Sequence, residues 1–165
     1  MLHKLVIGAL GAVAVMFSGT AFAQGTATEA KAMLDKAAVA VKADKAMTLD
    51  TINKGEGGFL DRDLYPFCFN ISDAKIVAVG NPNAKEYLLG SVAPKPILGL
   101  DSRTLHDAAG NAYGLEMYAA AQKPESEITE VSYLFPRPGQ DTTPVPKVSF
   151  VTKVGDLGCG VGYYK

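Results

Sequence analysis

The chain has 165 residues and a formal net charge of −1, and its basic residues form no block. This charge pattern argues against partners such as nucleic acids and anionic membranes, which attract proteins through clustered lysine and arginine. The hydrophobic content of the whole chain is 48%. The first 23 residues are mostly apolar, so this average overstates the hydrophobic content of the rest of the chain.

The N-terminal segment has the pattern of a secretory signal peptide. Lys4 precedes an apolar run over residues 5–17, and the small-residue pattern that ends at Ala23 predicts a cleavage site. Cleavage leaves one domain over residues 24–165, long enough to bury its own core. No later apolar run approaches the roughly 20 residues of a membrane helix. We therefore expect a secreted or periplasmic mature chain without a membrane span.

The first element of the mature chain is predicted as one long helix from Thr28 to about Asn53. Apolar residues recur there at steps of three and four, which is the pattern of a helix with one buried face. Thr28 is the candidate N-cap. The pattern is interrupted at Asp44-Lys45, where we expect a bend or a solvent-exposed turn. The glycine-rich residues 54–58 then end the helix, since a phosphate-binding loop would need a strand before it and a helix after it.

The rest of the chain is predicted to be mainly antiparallel β-structure. Alternating apolar patterns indicate a hairpin and then three consecutive strands, and Pro66 implies a bulge or a strand that begins after it. The glycines at 158, 160 and 162 leave one face of the last strand nearly bare, which is typical of close approach by a backbone or a ligand. The predicted strands are 64–70, 75–79, 128–135, 145–154 and 157–164.

Residues 80–111 are too long and too irregular for a plain connection. Their apolar content argues against disorder, so we expect an ordered covering loop with short helical turns. A brief helix from about Tyr113 to Gln122 follows. With no internal repeat and no linker, the sequence predicts one α+β domain.

Several short motifs, taken in order, resemble the single Cache domain family. They are Gly57-Gly58-Phe59, Asp63-Leu64-Tyr65, Asn81-Pro82-Asn83, Leu89-Gly90, Tyr133 with Pro136 and Pro138, Pro146-Lys147, Phe150-Val151, Val154-Gly155-Asp156 and Gly160-Val161-Gly162-Tyr163-Tyr164. The resemblance implies a PAS-like five-stranded antiparallel sheet with the order 2-1-5-4-3. A long N-terminal helix would lie on one face, and a loop with a short helix would cover a small-molecule pocket on the other.

Members of this family sense small extracytoplasmic ligands, often organic acids or amino acids, and most are parts of membrane receptors. We expect this chain to depart from them, since its sequence predicts neither a second membrane helix nor a signalling domain. We therefore expect a free-standing sensor-type domain that acts through a separate membrane receptor or another periplasmic protein. Gly80 stands where many relatives have a histidine, and the chain has no tryptophan. The identity of a ligand therefore does not carry over.

Cys68 and Cys159 are the two cysteines of the chain. In an oxidising compartment such a pair forms a disulfide, although two buried thiols are an equally ordinary outcome. The strand order implied by the resemblance places the first and last strands side by side. Neighbouring strands bring Cα atoms within the distance that a disulfide needs, which favours the bridge.

Lys147 is the main candidate for ligand binding. On a sheet with one open face it would be an ordinary solvated lysine. On a sheet covered on both faces its ammonium needs a partner, because a buried unpaired charge is costly. A ligand carboxylate would supply that partner, in keeping with the Pro-Lys match to the family.

The other candidate ligand-binding residues are aromatic or lie in the covering segment. Aromatic residues that alternate along strands are more often part of the core than ligand contacts. Tyr113 opens the short helix, where it could equally be a lid over the pocket or a core residue. Arg103 could clamp a carboxylate in a bidentate way, although a surface arginine is the ordinary case. Arg137 lies between two prolines, and we expect it to be exposed. The candidates besides Lys147 are Tyr65, Phe67, Arg103, Tyr113, Tyr133 and Phe135.

The sequence gives little support to catalysis or to a bound cofactor. His106 is the one histidine of the mature chain, which disfavours histidine metal sites and histidine-dependent nucleophiles. Asp61 and Asp63 could bind Ca²⁺ together with Glu56, but a loop with so few acids is usually only solvated. We expect a ligand-binding domain for a small organic acid or amino acid, with no metal, cofactor or catalytic residue. The alternative is a structural or accessory subunit of an extracytoplasmic complex that binds no ligand.

Overall fold

The computed structural model of the chain describes residues 23–82, 96–125, 127–138 and 142–165. The predicted signal peptide lies almost entirely outside this part, as do residues 83–95 of the covering loop. The elements run in the order α1 (Ala27–Ala43), α2 (Lys45–Lys54), β1 (Pro66–Asn70), β2 (Ile76–Val79), a 3₁₀ helix (Ser102–Thr104), α3 (Tyr113–Ala120), β3 (Thr129–Pro136), β4 (Pro144–Val154) and β5 (Leu157–Tyr164).

The predicted single long helix is two helices. Asp44 adopts an extended conformation between them, and its carboxylate accepts a hydrogen bond from the backbone N–H of Met47. The same residue therefore ends α1 and caps α2, which confirms the bend expected at Asp44-Lys45. Thr26, not Thr28, is the N-cap of α1, and it forms a reciprocal capping box with Glu29.

The sheet has five antiparallel strands in the order β2-β1-β5-β4-β3. This confirms the α+β class and the predicted strand order. Pro66 begins β1, so its missing N–H costs no ladder hydrogen bond inside the strand. The central position of β5 brings β1 and β4 to its two sides. Residues far apart in sequence therefore meet across it.

Cys68 and Cys159 form a disulfide. The two residues are direct partners in the ladder between β1 and β5, with their Cα atoms 4.2 Å apart. Both side chains are fully buried on the face of the sheet that carries α1 and α2. The bridge therefore joins the first and last strands of the domain within its main core.

Each face of the sheet has its own apolar layer. On one face α1 and α2 pack through residues that include Leu34 and Ile52, together with Phe150 and Val161 of the sheet. On the other face α3 and the segment before it cover the aromatic side chains of β1 and β3. Among the residues that the structure describes, no helix is both long and apolar enough to cross a membrane. The covered second face is where the candidate site lies.

Candidate functional site

A cavity of about 60 Å³ lies between the sheet and the layer formed by α3 and the 3₁₀ helix. Its walls are mostly aromatic and aliphatic, with one lysine and one serine among them. Strands β1, β2, β3 and β4 supply the sheet side. The lining residues are Tyr65, Phe67, Phe69, Ile76, Val79, Ile97, Ser102, Leu105, Tyr113, Met117, Tyr133, Phe135 and Lys147.

The cavity follows from strand alternation. Tyr65, Phe67 and Phe69 are spaced by two residues, so their side chains lie on the same face of the sheet. The bare face of β5 lies beneath this layer: a Cβ added at Gly162 would come within 2.5 Å of Cε of Lys147. The close approach predicted for this strand is made by side chains of β1 and β4 that lie across it.

Lys147 is buried, with only 3% of its surface exposed. Its Nζ donates hydrogen bonds to the hydroxyls of Tyr65, at 3.3 Å, and Tyr164, at 3.4 Å. The same atom lies 4.6 Å from each of those ring centroids and 5.0 Å from that of Phe135. In the described part of the chain, no carboxylate oxygen lies within 4.0 Å of it. Its partners are therefore neutral hydroxyls and ring faces.

Burial controls the protonation of this site. Desolvation lowers the pKa of the Lys147 amine from 10.5 to about 7, and the more distant Asp63 carboxylate acts weakly in the opposite direction. Burial also raises the pKa of the Tyr65, Tyr113 and Tyr133 hydroxyls above the usual value of 10, which keeps them neutral. At neutral pH the amine is thus poised between its charged and neutral forms.

Two stacked tyrosines close the cavity between α3 and β3. The rings of Tyr113 and Tyr133 are nearly parallel, with centroids 4.3 Å apart. The Tyr133 hydroxyl lies 2.9 Å from Oγ of Ser149, so its polar end is already satisfied by the sheet. Tyr113 is therefore both lid and core, since it is buried and also lines the cavity.

Asp107 fixes the covering segment to the sheet. Its carboxylate accepts hydrogen bonds from Ala109 and Asn111 in its own loop and from the backbone N–H of Leu134 on β3 at 3.0 Å. Burial would raise the pKa of this carboxyl, but these hydrogen bonds outweigh it and lower the pKa to about 2. The ionised carboxylate thus ties the loop over residues 107–111 to β3.

Six of the seven candidate ligand-binding residues come together around the cavity, namely Tyr65, Phe67, Tyr113, Tyr133, Phe135 and Lys147. Arg103 lies elsewhere: it is exposed, its guanidinium pairs with Asp101 at 2.6 Å, and it lies over the ring of Tyr118. The carboxylate of Asp101 thus occupies the guanidinium that a ligand carboxylate would need.

Arg137 differs from its expected exposure. The side chain is half-buried, and its guanidinium lies 4.8 Å from the ring centroid of Tyr164, whose hydroxyl contacts Lys147. Ser102 and Tyr164 are site residues that the sequence analysis missed. Ser102 is a single small polar residue in an irregular segment, so no pattern marks it. Tyr164 continues the spacing of Gly158, Gly160 and Gly162 along β5 and is the ladder partner of Lys147, so alternation could have placed it on this face.

Two of the three acids considered for Ca²⁺ make other contacts. Asp61 pairs with Arg62 at 2.8 Å, and Asp63 accepts a hydrogen bond from the backbone N–H of Gly25 at 2.7 Å. Over residues 23–82, 96–125, 127–138 and 142–165, no group of three or more metal-ligating side chains converges. His106 is exposed, and its ring lies 2.9 Å from the carbonyl of Thr104.

Solved structures that are similar to this chain include sensor domains of chemotaxis proteins. A periplasmic sensor domain of a chemotaxis protein has a TM-score of 0.55 and 20% identity over 81% of this chain and 86% of that chain. A methyl-accepting chemotaxis protein from Vibrio parahaemolyticus RIMD 2210633 has a TM-score of 0.58 and 18% identity, over 83% and 86%. A Cache chemosensory domain, described with the structural basis of its carboxylic acid recognition, has a TM-score of 0.54 and 22% identity, over 83% and 86%.

No protein-family model and no curated protein matches this chain. The five-stranded antiparallel sheet with its helices is consistent with a PAS-like α+β fold. The fold of this chain is that of a single Cache-like domain.

Proposed function

We propose that the domain binds a small carboxylate in the cavity and serves as the sensory component of a periplasmic system. The observation that carries this proposal is the buried amine of Lys147, which faces the cavity without an acidic partner among the described residues. A ligand carboxylate would complete an ion pair that the protein leaves open.

The surroundings of Lys147 leave its amine divided between the charged and neutral forms near pH 7, and a bound anion would favour the charged form. Three aromatic rings stabilise a cation through their faces, and two hydroxyls accept hydrogen bonds from it. These contacts do not offset the full cost of burying the charge, since the pKa of the amine is lowered. An anion in the cavity would supply the missing stabilisation.

The size of the cavity limits the ligand. A cavity needs roughly 10–15 Å³ to hold one water molecule, which is about the space of one non-hydrogen atom with its hydrogens. A cavity of about 60 Å³ therefore has room for about four to six non-hydrogen atoms. Acetate, propionate, lactate and pyruvate fall within this range. Larger dicarboxylates would require the cover to move.

The sensory and periplasmic parts of the proposal draw support from the similar structures. One of them is a periplasmic sensor domain of a chemotaxis protein, and another is a chemosensory domain with carboxylic acid recognition. We propose that this chain likewise reports a ligand to a membrane receptor or to another periplasmic protein. The predicted signal peptide over residues 1–23 agrees with that location.

Binding of defined carboxylates to the mature protein tests the site. Thermal shift and calorimetry with acetate, propionate, lactate and pyruvate are compared for the wild type and for Lys147→Met. Ligand at 100 times its Kd adds about 2.7 kcal/mol of stability. We expect at least one of these acids to bind the wild type and none to bind the variant.

Lys153→Met is the matched control, because Lys153 lies on the same strand but does not line the cavity. This variant is expected to bind as the wild type does. Undiminished affinity in Lys147→Met, or no binding of any of the four acids to the wild type, would contradict the proposed function.

A further inference from the structure

We propose that Ser102 is a second polar anchor in the cavity, and that the ligand is a short hydroxy- or oxo-carboxylate rather than a simple alkanoate or an amino acid. This inference rests on the proposed function, because it assigns the class of ligand for the same site. The observation behind it is independent of Lys147. It concerns a buried hydroxyl that the protein leaves without a partner.

Ser102 is among the residues that line the cavity, and only 3% of it is exposed. Its Oγ is fully buried and, among the described residues, has no hydrogen-bond partner. Buried hydroxyls are normally hydrogen-bonded, and leaving one unsatisfied destabilises the fold. An alanine would avoid that cost at this position, so the hydroxyl is best explained by a partner that arrives with the ligand.

The backbone holds Ser102 in place. Its N–H donates to the carbonyl of Ala74 at 2.8 Å, and its carbonyl accepts from the N–H of Leu105 at 3.1 Å. The N-terminus of α3 packs directly against this turn. A Cβ at Gly114 would lie 1.8 Å from the Ser102 carbonyl oxygen, so this contact requires glycine. The backbone of Ser102 is therefore held in place by contacts on both sides.

Ser102 and Lys147 bound the cavity from two sides. Gly114, which touches the Ser102 turn, follows Tyr113, and the ring of Tyr113 stacks on Tyr133. Tyr133 is in turn the ladder partner of Lys147 across β3 and β4. A ligand with its carboxylate at Lys147 in the sheet therefore lies beneath a layer that carries the Ser102 hydroxyl.

The lining decides the chemistry of the second group. A serine hydroxyl both donates and accepts, so it pairs with a ligand hydroxyl or with a ligand carbonyl oxygen. The cavity lining includes no aspartate or glutamate among the described residues. An amino-acid ammonium would be buried beside Lys147 without an anionic partner of its own, which is unfavourable. Hydroxy- and oxo-acids remain as the class that fits both anchors.

Propionate and lactate form a matched pair for the test, because lactate adds one hydroxyl to the same carbon chain, and pyruvate adds an oxo group instead. Calorimetry measures the affinity of each for the wild type and for Ser102→Ala. We expect the wild type to bind lactate or pyruvate about tenfold more tightly than propionate, as one net hydrogen bond predicts. Ser102→Ala should lose this preference while keeping its affinity for propionate.

Two further measurements make the result decisive. Ser132→Ala removes an exposed hydroxyl from β3 and should leave the preference unchanged. The melting temperature of Ser102→Ala should not fall, because the hydroxyl has no partner in the protein to lose. If the acids bind but Ser102→Ala keeps the wild-type preference, this inference is overturned and the carboxylate site stands. If none of acetate, propionate, lactate and pyruvate binds the wild type, both proposals are overturned.

Discussion

Nζ of Lys147 donates a hydrogen bond to the hydroxyl of Tyr65 at 3.3 Å, although 82 residues separate them in sequence. The contact is possible because β5 lies between β1 and β4 in the sheet, so side chains from both neighbours extend over its bare face. Lys147 on β4 thereby contacts Tyr65, which directly precedes β1, and also lines the cavity. Most of the behaviour that we predict for this domain follows from its buried amine.

Lys147 should make the stability of the domain depend on pH above neutrality. The pKa of its amine is lowered to about 7 in the folded state, so the unfolded chain binds more protons between pH 7 and 10.5. Stability therefore rises with pH in that window, by about 2 kcal/mol from pH 7 to pH 9. Urea unfolding of the wild type should show this rise, and Lys147→Met should lack it.

The same comparison has a second expected result. At pH 7 and below, Lys147→Met should be more stable than the ligand-free wild type, because the variant buries no charge. A Lys147→Met protein that is less stable at pH 6, or that retains the wild-type rise between pH 7 and 9, would show that the amine is not desolvated as described. Comparison up to pH 9 avoids ionisation of the buried tyrosines, whose pKa values lie above 10.

Gly162→Ala should impair the site through Lys147. The new Cβ would come within 2.5 Å of Cε of Lys147 and 2.7 Å of Oγ of Ser149, so the lysine stem has to move. Overpacking of this kind costs about 1–3 kcal/mol of stability. We expect a clear loss of carboxylate affinity, measured by calorimetry on folded protein. Wild-type affinity in this variant would mean that the position of the amine is not critical.

The disulfide should contribute strongly to stability. Cys68 and Cys159 are 91 positions apart, and chain-entropy models assign a loop of this length roughly 4 to 5 kcal/mol. The Cys68→Ala/Cys159→Ala double variant should unfold at a much lower urea concentration than the wild type. Non-reducing mass spectrometry of the secreted protein should find no free thiol. Two free thiols there, or an unchanged unfolding midpoint in the double variant, would contradict the account.

Asp107 should support the cover only while it is ionised. Its folded-state pKa of about 2 is below the ordinary value of 3.8, so its contribution is present above about pH 4 and is lost as pH falls toward 2. Asp107→Asn removes the charge and turns a donor toward groups that already donate. We expect the variant to be less stable than the wild type at pH 7.

The measurement for Asp107 is the difference in urea midpoint between pH 5 and pH 2.5. The wild type should lose more stability over this interval than Asp107→Asn, because the variant has no carboxyl at this position to protonate. Equal losses in the two proteins would indicate that the loop is held by other contacts.

Local patterns predicted the elements, and the order of short motifs predicted how they assemble. Alternation alone placed Tyr65 and Phe67 on one face, and they do line the same cavity. The interruption at Asp44 marked the end of α1, although one continuous helix was expected. Such features depend on residues close in sequence, so they can be inferred without the tertiary structure.

The remainder depends on contacts that sequence spacing does not encode. From sequence alone, Lys147 could face either solvent or a pocket. The layer that covers this face of the sheet decides between the two. Arg103 looked available for a ligand, yet the turn beginning at Asp101 directs a carboxylate onto its guanidinium. Ser102 becomes notable only when its burial and its unsatisfied hydroxyl are known. Each of these outcomes is set by packing between segments distant in the chain.

Proton uptake on carboxylate binding tests the central claim most directly. At pH 8 the free amine of Lys147 is mostly neutral, since its pKa is about 7, whereas an ion pair with the ligand needs the ammonium. Calorimetric titration of wild type with propionate and lactate, in two buffers of different ionisation enthalpy, gives the number of protons taken up. We predict close to one proton per bound ligand at pH 8, and an affinity that falls steadily from pH 7 to pH 9. Binding without proton uptake, and with equal affinity at pH 6 and pH 9, would contradict the assignment of Lys147 as the carboxylate-binding group.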